Sequence, residues 1–232
     1  MRPFAILLGV VAVVGLLVLG VAALGQGQEG RGRSTTSVAR GTPATPAPAV
    51  PTGADPAAWA GERARGTGIP ARALQAYAAA ELTQRERTPA CGLSWATLAG
   101  IGQIESNHGR IHGSTLVDGV ASPPIVGIPL DGSSGTRVIP DSEGGRLDGD
   151  TEFDRAVGPM QFLPQTWARF GEGDPQDVDD AARAAAAYLC SADRVVAEGD
   201  GWWEGVLAYN RSVDYARKVW AAADGYAAGA GA

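Results

Sequence analysis

The chain has 232 residues, with 19 Lys and Arg against 25 Asp and Glu, for a formal net charge of −6. This acidic balance excludes nucleic acid as the natural partner. Cys91 and Cys190 are too few and too far apart for a protein-only zinc site, and neither a metal nor another cofactor is expected.

The segment from Pro3 to Gly25 is a run of apolar and small residues with no charged or amide side chain. As a helix it spans a hydrocarbon layer about 30 Å thick, and it exceeds the roughly 7 to 15 residues of a signal-peptide core. Residues 1–25 are therefore expected to be a retained transmembrane anchor, giving a single-pass membrane protein with its folded part outside the cytoplasm. The alternative is a signal segment cleaved at Ala23-Leu24-Gly25, which releases a secreted protein. Residues 26–56 are rich in Gly, Thr, Pro and Ala, lack large apolar side chains, and read as a disordered linker. The two cysteines form either a disulfide or two free buried thiols, and export to an oxidising compartment favours the bridge.

The folded domain is expected over 57–226 and is mainly helical in pattern. Ala71 to Arg87 places Leu74, Tyr77, Ala78 and Leu82 at helical spacing behind Pro70. Ser94 is suited to cap a second helix, in which Trp95, Leu98, Gly102 and Glu105 share the apolar face. From His112 to Arg155 helical periodicity disappears and Gly, Pro, Ser and Asp dominate, with short β-like pieces at 125–130 and 136–140. An irregular insertion of this length carries function or is disordered. Helical pattern resumes at Pro164 to Phe170, Val178 to Val196, Trp202 to Tyr209 and, behind a Ser212 cap, Val213 to Ala223; residues 227–232 read as a flexible tail.

Cleavage of a glycosidic bond needs a proton donor for the leaving oxygen, and a carboxyl group serves at neutral pH where an apolar setting keeps it protonated. Glu105, on an apolar helix face just before the helix-ending Ser106-Asn107-His108-Gly109, meets that requirement. Gly158-Pro159-Met160-Gln161 and Ala208-Tyr209-Asn210 follow in order. Together IESNHG, GPMQFLPQTW and LAYN resemble the soluble lytic transglycosylase family of lysozyme-like enzymes, over roughly residues 67–222.

The resemblance implies a lysozyme-like helical domain that cleaves peptidoglycan strands between N-acetylmuramic acid and N-acetylglucosamine and leaves 1,6-anhydromuramic acid ends. It assigns Glu105 as general acid and then base. It gives Ser106 a part in holding the reacting sugar, lets Met160 and Gln161 line the cleft, brings the Tyr209 hydroxyl towards the catalytic carboxyl group, and has Asn210 support the same wall. Pro159 replaces the family's usual leucine, and Arg211-Ser212 stand where the family has Ala-Gly, which leaves the contacts beyond Asn210 open.

Rival readings attach to particular residues. Asp148, Asp150, Glu152 and Asp154 form an acidic cluster in the insertion. Phe153 and Pro159 occupy the positions where an EF-hand from Asp148 needs Gly and Glu, so that motif is excluded, although a looser ion site is not. Asp154 is the candidate second carboxylate, which would make the enzyme a hydrolysing muramidase; a solvated acidic loop is the plainer reading. Trp202 and Trp203 either stack on sugar rings or staple the final helix to the core. A catalytically silent wall-binding protein is the alternative from another class.

Overall fold

The computed structural model describes residues 47–197 and 199–230. Within them the chain is mainly helical, with one small two-stranded sheet. The apolar run at 3–25 lies outside the described residues, and no helix among those described is long and apolar enough to cross a membrane.

Order begins earlier than composition suggests. Val50 is fully buried; its N–H donates to Glu81 Oε1 at 3.0 Å and its carbonyl accepts from Arg85 at 2.9 Å. The Trp95 indole donates to the Pro48 carbonyl at 3.1 Å, so the end of the expected linker is laid into the domain. The cause is the buried Glu81 carboxyl, which also accepts the Trp95 N–H at 2.7 Å and pairs with Arg85. Helix α1, Pro56–Thr67, then starts at the boundary assigned to the linker, because Asp55 caps it by accepting from the N–H groups of Ala57 and Ala58.

Helix α2, Ala71–Arg87, buries Leu74, Tyr77 and Ala78 as its periodicity requires. Helix α3, Trp95–Ser106, is capped by Ser94 and runs through the core with Trp95, Leu98 and Ile101 fully buried. Between α3 and the next helix the chain is ordered but irregular. Its regular strands are β1, Thr115–Val117, and β2, Val120–Ser122, antiparallel with Leu116 opposite Ala121. Asp118-Gly119 joins them with both φ angles positive, the two-residue turn that matches strand twist. The β-like pieces expected at 125–130 and 136–140 contribute only isolated bridges, Val126 to Val157, Asp131 to Val138 and Pro140 to Phe153.

Helix α4, Pro164–Phe170, matches expectation. Helix α5, Val178–Leu189, stops well short of Val196, because Cys190 is held by the bridge to Cys91 and Ala192 and Asp193 adopt left-handed φ angles. The disulfide is present, with Cα atoms 5.6 Å apart and a sequence separation of 99. Helix α6, Gly199–Tyr209, leads through Ser212, whose Oγ accepts the Tyr215 N–H at 3.2 Å, into α7, Val213–Ala230. The residues read as a flexible tail therefore continue a helix as far as Ala230. They do so because α7 lies along α1 at Gly66 and Gly229, where a Cβ on either would meet the other's carbonyl oxygen at 2.9 Å.

Candidate active site

Glu105 occupies the last turn of α3, where Asn107 takes the left-handed conformation and closes the helix, its N–H returning to Gln103. The carboxyl group lies in a cleft of about 440 Å³. One wall comes from the irregular segment, through Leu130, Thr136, Arg137 and Ile139; the other from Gln161, Phe162 and the α6–α7 junction at Ala208–Ser212. The insertion is thus a wall of the cleft.

Burial pushes the Glu105 carboxyl up to about 7, against a single hydrogen bond that favours its ionised form, the Tyr215 hydroxyl donating to Oε1 at 2.6 Å. Near neutrality the group is therefore divided between proton donor and proton acceptor. Desolvation, with Glu105 next in importance, drives Tyr215 well above the usual phenol range, so its hydroxyl stays a donor. Among the described residues no other Asp or Glu lines this cleft.

The tyrosine that touches the carboxyl group is thus Tyr215, not Tyr209. The Tyr209 hydroxyl donates to the Met160 carbonyl at 2.7 Å, while its ring stands edge-on to Phe162 at 5.7 Å and lines the cleft beside Tyr188. Asn210 also lines the cleft, but its Oδ1 is occupied by the Ser212 N–H at 3.1 Å, which shapes the α6–α7 turn.

Ser106 is fully buried and faces the interior. Its hydroxyl donates to the Pro159 carbonyl at 2.5 Å and accepts the Gly109 N–H at 2.7 Å, so it welds the end of α3 to the 158–161 turn instead of facing a ligand. That turn is closed by paired hydrogen bonds between Val157 and Phe162. It needs Gly158, whose φ is +76° and where a Cβ would collide with the Pro175 carbonyl. Met160 is fully buried in the core and reaches the cleft only through its carbonyl's bond to Tyr209. Gln161 does line the cleft, with a left-handed φ of 50° and its amide nitrogen donating to the Gly158 carbonyl at 3.0 Å.

Asp154 does not line the cleft. It is fully buried, and both carboxylate oxygens accept from Ser142, through its N–H at 2.9 Å and its hydroxyl at 3.0 and 2.9 Å. Its neighbours have comparable work: Asp148 accepts the N–H groups of Asp150 and Arg155, and Asp150 accepts those of Glu152 and Phe153 and pairs with Arg155. The acidic cluster is a set of turn-forming caps rather than a solvated loop. Among the described residues no group of three or more His, Cys, Asp or Glu side chains gathers as a metal site. His108 is buried; its Nε2 is 2.9 Å from the Tyr226 hydroxyl, which itself donates to Gln103, so Nε2 carries the proton and Nδ1 accepts from Tyr77 at 3.1 Å. Burial depresses its pKa to about 3.

Trp202 and Trp203 are core residues, the Trp202 indole donating to Thr97 Oγ1 at 3.1 Å. Sequence reasoning missed Tyr215, Tyr188, Arg137 and Arg211. Only Arg211 left a trace, as a charged residue beside a motif where the resembling family has a small one. Comparison with protein-family models, with characterised proteins and with solved structures finds no match to this chain.

Proposed function

We propose that the chain is a peptidoglycan lytic transglycosylase on a lysozyme-like helical fold, cleaving the β-1,4 bond between N-acetylmuramic acid and N-acetylglucosamine. The observation that carries this reading is Glu105: among the described residues the one carboxyl group lining the cleft, raised to about 7 by burial and oriented by Tyr215. A site with one such group has an acid and, after proton transfer, a base, but no second carboxylate to act as nucleophile or to activate water.

Protonated Glu105 delivers its proton to the glycosidic oxygen as the bond from that oxygen to the muramyl anomeric carbon breaks, and the muramyl N-acetyl oxygen shares the developing positive charge. The resulting carboxylate, stabilised by the Tyr215 hydroxyl, takes the proton from the muramyl 6-hydroxyl. That oxygen then closes on the anomeric carbon to give the 1,6-anhydro ring. The proton returns to Glu105, and no water is consumed. A disulfide-bonded domain behind an apolar N-terminal segment accords with action outside the cytoplasm, tethered to the membrane.

Purified peptidoglycan incubated with the chain should yield muropeptides lighter by one water than hydrolysed ends, as read by mass spectrometry. Glu105→Gln keeps the shape, removes the proton donor and should abolish them. Undiminished cleavage by that variant overturns the mechanism, and reducing muramic acid ends would establish hydrolysis in its place.

A further inference from the structure

The cleft carries a charge pattern opposite to that of the chain. The sequence is net negative, yet among the described residues the cleft is lined by two guanidinium groups, Arg137 and Arg211, and one carboxyl group that is only partly ionised near neutrality. Among the described residues seven arginines elsewhere are in ion pairs with carboxylates. Arg137 and Arg211 are both exposed, and neither has a hydrogen-bond or ion-pair partner among the described residues.

Both are carried on turns with internal hydrogen bonding, so their backbones are fixed before a ligand arrives. The loop bearing Arg137 is closed at its base by the Ile139 N–H to the Leu130 carbonyl at 2.8 Å and by the Asp131–Val138 bridge. Within it, Asp131 accepts the Ser133 N–H at 2.8 Å and Thr136 Oγ1 donates to the Ser133 carbonyl at 2.8 Å. Arg211 lies between Asn210 and Ser212, which are hydrogen-bonded to each other, at the start of α7. Two segments about seventy residues apart in sequence thus bring unpaired guanidinium groups, on ordered backbone, to the cleft that holds Glu105.

We infer that Arg137 and Arg211 form a carboxylate-recognition subsite, which selects glycan strands with an acid group pendant on a sugar beside the scissile bond. The inference rests on reading the cleft as a glycan-cleaving site. A guanidinium group matches a carboxylate through two parallel hydrogen bonds, and a bound strand would shield the pair from solvent. On a muramyl sugar the acid has two sources: the free lactyl carboxylate of peptide-free strands, or the carboxylates of an attached peptide. A strand built of N-acetylglucosamine alone has neither.

The test is calorimetric titration of the full chain in non-ionic detergent, with Glu105→Gln to prevent turnover. Four soluble tetrasaccharides serve as ligands: N-acetylglucosamine only, the alternating muramyl form with free lactyl groups, the same with peptides attached, and the peptide form with its carboxylates amidated. The inference expects at least one acidic ligand to bind tighter than the neutral one by about tenfold or more. Arg137→Gln or Arg211→Gln should each lower that ratio about threefold, and both together should bring it close to one. Preference for the lactyl form or for the unamidated peptide form identifies the source of the acid. Acidic and neutral strands bound equally, or a ratio unmoved in the double variant, would overturn the subsite and leave the glycan-cleaving reading standing. Binding of none of the four would overturn that reading as well.

Discussion

Replacing Tyr215 with Phe removes one hydroxyl from a ring that is 2 % exposed and leaves the packing of α7 on α3 in place. The lost group is the donor to Glu105 Oε1, the contact that opposes burial in setting the carboxyl pKa of about 7. A hydrogen bond to a charged acceptor contributes about 1.5–3 kcal/mol, and one pKa unit corresponds to about 1.4 kcal/mol. The hydroxyl stabilises the carboxylate, so its removal favours the protonated acid and should move the Glu105 midpoint up by about one to two pH units. The readout is a carbon-13 NMR titration of the Glu105 carboxyl carbon in wild type and variant, with Glu105→Gln to assign the resonance. Tyr209→Phe is the control: its hydroxyl serves the Met160 carbonyl, so its loss should move the midpoint far less. In a cleavage assay the alkaline limb, where activity falls as the acid loses its proton, should shift the same way in Tyr215→Phe. A midpoint that stays or falls in that variant refutes the assignment of Tyr215 as the hydroxyl that holds the carboxylate.

Replacing Cys91 and Cys190 with Ser should lower the free energy of unfolding by about 4–5 kcal/mol for a sequence separation of 99, measured as a lower urea midpoint; an unmoved midpoint would refute this role. Ser106→Ala leaves the buried Pro159 carbonyl and Gly109 N–H without the hydroxyl between them and should cost about 2 kcal/mol or more in urea unfolding. A variant as stable as the parent and altered only in glycan affinity would return Ser106 to the cleft. Glu81→Ala frees the N–H groups of Val50 and Trp95, and should raise hydrogen exchange at Val50 by about tenfold or more if that carboxyl group holds the 47–50 segment down.

Local rules made part of this protein legible. The helices behind Pro70, Ser94 and Ser212 follow from apolar spacing and capping chemistry, both short-range properties. The errors lie where a distant partner overrides local composition. Residues 47–56 look like linker because they hold few large side chains, but a single Val50 and the carboxyl of Glu81 are enough to dock them. The Ala- and Gly-rich end of α7 looks frayed by propensity, yet small residues are what its close approach to α1 requires. The acidic run 148–154 looks solvated because charge count does not reveal that its carboxylates cap backbone N–H groups in their own turns.

Glu105 was legible as a candidate acid from its place on an apolar helix face together with the GPMQFLPQTW and LAYN motifs that follow it, and two of the neighbours those motifs supplied, Gln161 and Tyr209, do line its cleft. The side chain that touches it was not legible. Tyr215 lies 110 residues further on, and nothing local distinguishes it from any other helical tyrosine until α7 packs against α3. Conversely, Ser106 adjoins the acid in sequence but lies on a different, buried face, since successive residues of a helix are about 100° apart. Sequence alone thus determined which carboxyl group to consider. Tertiary structure decided which side chains tune it, because desolvation and hydrogen bonding depend on distance in space.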